Sequence, residues 1–342
     1  MPNRYTHYPW ERCSQDELLD MRFCDLKLHI AGSRLEKYTE KLCQELEKKG
    51  LRFKPHFWFS TDWFTPDGIP GIAIPFYIAH PKLSQLEASQ IFEVEGGNPS
   101  WLMQLLRHEC GHAIDNAFQL RRKRKRQQVF GKSSNHYTDY YAPQPYSKRF
   151  VWHLDSFYAQ SHPDEDFAET FAVWLTPKSK WKIKYKNWPA MKKLTLMNEL
   201  MNEIKGKPPL IKTRQKVEPL SSNKRTLRSY YKKKRDYLGL DYPNFYDKDL
   251  QKLFSIHQNP EFPIKAIKFL KQVRKEVRKI VSCSTSIYQY TIDQVLEDIL
   301  ERVRELNLWI AKDPNQLKLE FISLLTFHTV NYIHDENHRI PR

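Results

Sequence analysis

The sequence predicts an α+β protein, with a small mixed sheet and two functional helices in its N-terminal part and an all-α C-terminal region. Three observations carry this. Runs with strand character, at Arg22–Ile30, Arg52–Ser60 and Gly71–Ala79, all lie before residue 80. Two strongly apolar helical stretches follow, Leu102–Phe118 and Asp164–Leu175. From Lys182 onward apolar residues recur almost wholly at helical spacing, with short connections between the runs.

Composition sets the outer limits. The chain has 342 residues, 40% hydrophobic and 13% aromatic, so it can bury a large core and is not disordered as a whole. Five scattered cysteines with no C-x-x-C pair exclude a disulfide framework and a cysteine zinc ribbon, and fit a reducing compartment. The N-terminus lacks an apolar signal core and no stretch approaches about 20 apolar residues, so a cytoplasmic location is expected. A net charge of +16 favours anionic partners.

In chain order, Met1–Asp20 is expected to be a polar and aromatic arm, and Arg22–Ile30 the first strand. Ser33 caps a helix reaching Lys49, where Gly50 stops it. Pro55 and Pro75 place the next two strands at edges or bulges. Asn98 and Pro99 form an N-cap and first helical position ahead of Leu102–Phe118. That helix dissolves into Arg121–Arg126 and a Tyr- and Pro-rich stretch. His162-Pro163 opens the second helix, which ends before Thr176-Pro177. Further helices are expected over Lys182–Ile204 and Leu220–Leu238, separated by a basic loop Lys205–Pro219. After a linker, Leu240–Phe245, four more follow near Asp247–Ser255, Pro263–Val281, Thr291–Trp309 and Asn315–His334.

The chemistry concentrates in His108-Glu109-Cys110-Gly111-His112, an H-E-x-x-H motif. Four residues span just over one helical turn, so both imidazoles leave one face and suit a single Zn²⁺, with Glu109 beside them as general base. Gly111 lets another backbone approach closely. About fifty residues on, Glu165 and Glu169 share a face of a mostly apolar helix, which is costly unless a positive partner meets them. Glu165 is therefore the expected third ligand. Glu169 is expected to accept a hydrogen bond from one liganding imidazole, and Asp115 to do the same on the other side. Tyr158 is the candidate donor to an oxyanion. Three protein ligands leave a fourth position for water, the catalytic arrangement.

LRHECGHAID and FYAQSHPDEDFAETFAVWLTP resemble the zinc-binding metallopeptidases of bacteria, relatives of the gluzincin clan. They are similar, more distantly, to the zinc domains of anthrax lethal factor and of the Pro-Pro endopeptidases. The resemblance spans roughly Leu26–Pro177. It implies His108, His112 and Glu165 on zinc, Tyr158 lining the site and Glu169 behind a ligand. It also implies a gluzincin-like fold in which an edge strand, for which Gly71–Ala79 is the candidate, pairs with substrate backbone. The cysteine ribbon that opens many family members is not supported, because Cys13 and Cys24 alone cannot build one.

The expected organisation is an N-terminal arm (1–20), a metallopeptidase domain (21–205), a basic linker and helix (206–245) and a helical domain (246–342). The expected activity is zinc-dependent hydrolysis of a peptide or protein, with one Zn²⁺ per chain. The runs Arg121–Arg126 and Tyr230–Arg235 favour an acidic peptide or other polyanion, and without a nucleic-acid-binding module sequence-specific recognition of nucleic acid is not expected. The alternative is a non-catalytic zinc protein acting on a polyanion through its basic helical region, against which Glu109 argues, since a structural site needs no base. Nothing in the sequence sets the oligomeric state.

Overall fold

The computed structural model describes residues 7–91, 94–138, 140–141, 143–237, 246–285, 287–334 and 340–341. The chain divides into two compact units, one ending at Arg235 and the other running from Asp236 to Pro341.

The first unit contains helices α1 (Gln15–Asp20), α2 (Glu36–Lys48), α3 (Pro81–Ile91), α4 (Pro99–Phe118), α5 (Arg124–Phe130), α6 (Pro163–Leu175), α7 (Trp181–Lys184), α8 (Ala190–Ile204) and α9 (Leu227–Tyr237). Its strands β1 (His56–Ser60) and β2 (Gly71–Pro75) pair in parallel, from His56 opposite Gly71 to Ser60 opposite Pro75. On the other side of β2, the Ala73 amide donates to the Phe64 carbonyl at 2.9 Å in an antiparallel bridge. Buried at every position and flanked on both sides, β2 is not the free edge expected of Gly71–Ala79; after Pro75 the chain turns into a 3₁₀ helix, Phe76–Ile78.

Other expectations are corrected in the same unit. Arg22–Ile30 is not a strand: Phe23–Leu26 is a 3₁₀ turn whose Phe23 and Leu26 side chains enter the core. Its looser alternation reflects two buried anchors rather than a pleat. Helix α3 was not among the expected elements; it follows directly on the turn after β2, and Pro81 at its start is well tolerated. The N-terminal stretch packs onto the first unit, and its Tyr8, Trp10, Leu18 and Leu19 are core residues. Residues 206–235 likewise belong to this unit. Residues 210–218 lie along α4 and β1, with Leu210 and Ile211 amides donating to the Ala117 carbonyl and the Trp58 indole to the Val217 carbonyl. Helix α9 buries Leu227, Tyr230 and Tyr231 against Phe23 and Phe76.

The second unit is helical: Asp247–Leu253, Ala266–Thr285, Gln289–Glu305 and Pro314–His334 surround a core that includes Phe269, Val277, Ile292, Ile299 and Phe321. A two-residue antiparallel pairing of Phe254–Ser255 with Trp309–Ile310, too short to leave a periodic signal, closes one end. The expected linker at Leu240–Phe245 lies outside the described residues. No helix among the described residues is long and apolar enough to cross a membrane, and all five cysteines are unpaired.

The packing of α4 on α6 positions the chemistry. A Cβ on Gly111 would lie 2.7 Å from the Ala168 Cα and 3.0 Å from its carbonyl oxygen, so only glycine permits this approach. Gly111→Ala should therefore push the two helices apart and cost about 1–3 kcal/mol. Thermal unfolding of the variant, with its zinc content measured in parallel, checks this; an unchanged melting temperature with full zinc would contradict it.

Candidate metal centre

Each half of the centre is fixed by the start of its helix. Asn98 Oδ1 accepts from the Trp101 amide at 2.9 Å and Pro99 takes the first position of α4, whose interior residues His108 and Glu109 are buried. On α6, Pro163 occupies the first position and the His162 ring caps the Asp164 amide. Glu165 thus sits in the first turn, where the helix dipole favours a carboxylate.

His108 Nε2, His112 Nε2 and Glu165 Oε2 form a near-equilateral triangle. The two imidazole nitrogens are 3.2 Å apart and each is 3.0 Å from the carboxylate oxygen. Glu169 Oε1 lies 2.8 Å from His108 Nδ1. A carboxylate only accepts, so Nδ1 carries the proton and Nε2 presents its lone pair to the triangle. Three lone-pair atoms converging away from water repel one another unless a cation lies among them. Tetrahedral zinc, with bonds of about 2.0–2.2 Å, keeps its ligand atoms about 3.3 Å apart, so this donor set fits Zn²⁺. His112 is partly exposed, whereas His108 and Glu165 are buried, so access comes from the His112 side.

The electrostatics agree with a site built for positive charge. Burial disfavours an ionised Glu165, yet the neighbouring imidazoles outweigh it and hold the carboxyl well below its ordinary range. Burial also disfavours a cationic His108, but Glu165 and Glu169 overcome it and raise the group well above its usual value. Glu109 is pushed up by burial, which the two imidazoles and Thr65 oppose.

Of the residues expected from sequence, His108, Glu109, His112, Glu165 and Glu169 are brought together. Tyr158 sits half-buried beside them, its ring 5.5 Å from that of His108. It belongs to a 3₁₀ segment, Asp155–Gln160, in which Ser156 and Phe157 both take left-handed backbone with φ of 57°. Such consecutive non-glycine residues cost about 1–2 kcal/mol each. The Leu154 amide donating to Glu169 Oε2 at 2.9 Å and the Tyr141 hydroxyl donating to the Ser156 carbonyl hold them in place.

Asp115 does not face an imidazole. It accepts from the Arg121 backbone at 2.6 Å and from the Arg121 guanidinium, and forms an ion pair with Arg126 at 3.5 Å, because its position on α4 turns it toward the following basic turn.

Two residues were not foreseen. Thr65 Oγ1 donates to Glu109 Oε2 at 2.9 Å, and Tyr137 donates its hydroxyl to Glu165 Oε1. Both lie in irregular segments, where no periodicity marks a residue; the Thr65-Pro66-Asp67-Gly68 turn signal was the one available hint.

Residues 101–191, about a quarter of the chain, match the model of a family described as "Putative zinc-binding metallo-peptidase". The matched segment includes His108, Glu109, His112, Tyr158, Glu165 and Glu169. No curated protein and no solved structure gives a significant match to the chain.

Removing the carboxylate behind His108 frees that ring to rotate and to change tautomer. Glu169→Ala should lower zinc affinity about 10–100-fold. Competition against a chromophoric chelator measures this, and an affinity equal to that of the unaltered chain would contradict the arrangement.

Proposed function

We propose that this chain is a zinc-dependent peptide hydrolase in which His108, His112 and Glu165 hold the metal and Glu109 is the general base. The observation that supports it most directly is the converging triangle with the Glu109 carboxylate beside it. Zinc bound there supplies Lewis acidity and lowers the pKa of water to about 7.

The chain's own residues divide the remaining work. Thr65 engages Glu109 Oε2, which leaves Oε1 to take the proton of the attacking water and return it to the departing amine. Tyr158, on the His108 side, donates a hydrogen bond to the oxyanion of the hydrolysed carbonyl. Glu169 keeps His108 in the Nδ1–H tautomer. Tyr137 occupies Glu165 Oε1, so that Oε2 alone faces the imidazoles.

The gluzincin-like reading is supported by a small sheet beside two metal helices. With β2 internal, the run Asp62–Thr65 takes the place of the substrate-pairing edge, since it lies outside β2 and reaches Glu109 through Thr65. The substrate class that suits the basic chain is an acidic peptide or protein segment. The free thiols suit a reducing, cytoplasmic setting. The reading of zinc as structural in a non-catalytic binding protein gives the buried Glu109 carboxylate beside the triangle no role.

Glu109→Gln preserves shape and removes the base. It should retain one zinc per chain and lower kcat/KM on a peptide library at least about 100-fold. Mass-spectrometric readout, with and without chelator, checks this, and undiminished cleavage would refute the mechanism.

A further inference from the structure

The two basic runs that stand out in the sequence are largely used by the fold. Arg121 pairs with Asp115 and Asp67, Lys123 and Lys125 with Glu203, and the fully buried Arg126 with Asp164 and Asp115. In the second run Tyr230 and Tyr231 are core residues and Lys234 pairs with buried Glu87.

The charge surplus extends well beyond these runs. Residues 176–235 hold nineteen Lys and Arg against three Glu, which equals the whole net charge of +16, so the chain before and after them is neutral. No carboxylate occurs from Thr170 to Asn198. Within that stretch Lys178, Lys180, Lys182, Lys184 and Lys186 are all exposed, and among the described residues none forms an ion pair. Lys148, Arg149 and Lys192, also exposed, join them: the Lys148 carbonyl accepts from the Ala190 amide, and Arg149 and Lys192 line one small hollow beside Pro189. So dense a like-charge surface is unfavourable unless an anion meets it.

A line of ring neighbours leads from the metal centre toward this surface. From His108 the path runs 5.5 Å to Tyr158, whose neighbour Phe157 lies 6.4 Å from Trp152, which in turn is 5.0 Å from Trp188 among the lysines. An extended peptide advances about 3.3 Å per residue. The rings pack edge to face, Trp152 on Trp188 at 76° and Tyr185 on Trp188 at 87°, and so do not offer the row of parallel faces that stacks nucleic-acid bases.

We propose that this lysine rim is the specificity-determining surface for substrates with clustered Asp and Glu side chains about four to seven residues from the hydrolysed bond. The proposal rests on the hydrolase reading above.

The test uses the full zinc-loaded chain and two peptides that share one cleavage sequence, flanked by either six Glu or six Gln. The Glu peptide should show a KM at least about tenfold lower at low salt, an advantage that fades as salt rises. The triple variant Lys180→Glu, Lys182→Glu, Lys184→Glu should abolish that advantage while cleaving the Gln peptide with unchanged kcat, which also shows that it folds. Equal KM for both peptides, or a preference that survives charge reversal, overturns the proposal and leaves the hydrolase reading standing. Cleavage of neither peptide strikes at the hydrolase reading alone. In that case anisotropy of the labelled peptides on the Glu109→Gln chain decides: tenfold tighter binding of the Glu peptide, lost in the triple variant, supports the rim, and equal binding overturns it. Single-stranded DNA of equal charge bound more tightly than the Glu peptide would also overturn it.

Discussion

Three lone-pair atoms meeting within 3.2 Å in a largely buried place are the constraint from which the rest of this structure follows. Such a cluster is repulsive without a cation, and it forms only if two helices come unusually close. Gly111 against Ala168 supplies that closeness. The helix starts then fix rotation about each axis: Asn98 and Pro99 for α4, His162 and Pro163 for α6. Glu169, one turn beyond Glu165 on α6, completes the arrangement by orienting His108 from behind.

Buried arginines act as bolts around this pair of helices. Arg107 on α4 makes a two-pronged contact with Glu45 on α2, both at 2.8 Å and both buried. Arg126 bridges Asp164 on α6 and Asp115 on α4, with the Gly131 carbonyl as a third partner. Breaking such a pair on one side leaves an uncompensated buried charge, which costs about 3–5 kcal/mol. Arg126, part of a run that gives the sequence its polyanion-binding appearance, therefore helps maintain the geometry of the centre. Asp115 belongs to this framework and not to the metal.

What the sequence made legible follows from the range of each signal. The capped, periodic helices α4 and α6, and the helices of the second unit, leave local patterns of burial and end signals that survive translation into structure. His108, Glu109, His112, Glu165 and Glu169 were accessible because each lies at a fixed helical spacing from another. Tyr137 and Thr65 were not, since irregular segments carry no period. The edge-strand assignment failed for a related reason: Pro75 marks a strand end, yet the flanking of β2 by Phe64 is set by a turn whose register no local pattern records. A run of cations looks the same in sequence whether its partners are solvent or carboxylates distant along the chain, so the pairing of Arg121–Arg126 carried no local signal.

The separation of charge between centre and rim bears on selectivity. With a dication bound, the centre still holds three carboxylates, Glu109, Glu165 and Glu169, in a small buried volume. An acidic side chain at the hydrolysed bond would face this negative field at low dielectric, where repulsion is strong. Outside, the lysines of residues 176–192 present the opposite sign at higher dielectric, where attraction is moderate and fades with salt. A substrate with its acidic residues displaced from the bond gains the second interaction and avoids the first. On the proposed function, the rim would steer the approach of such a substrate while its uncharged residues occupy the centre, so discrimination would fall on KM and association and the rate of the hydrolytic step would be left to Glu109 and Tyr158.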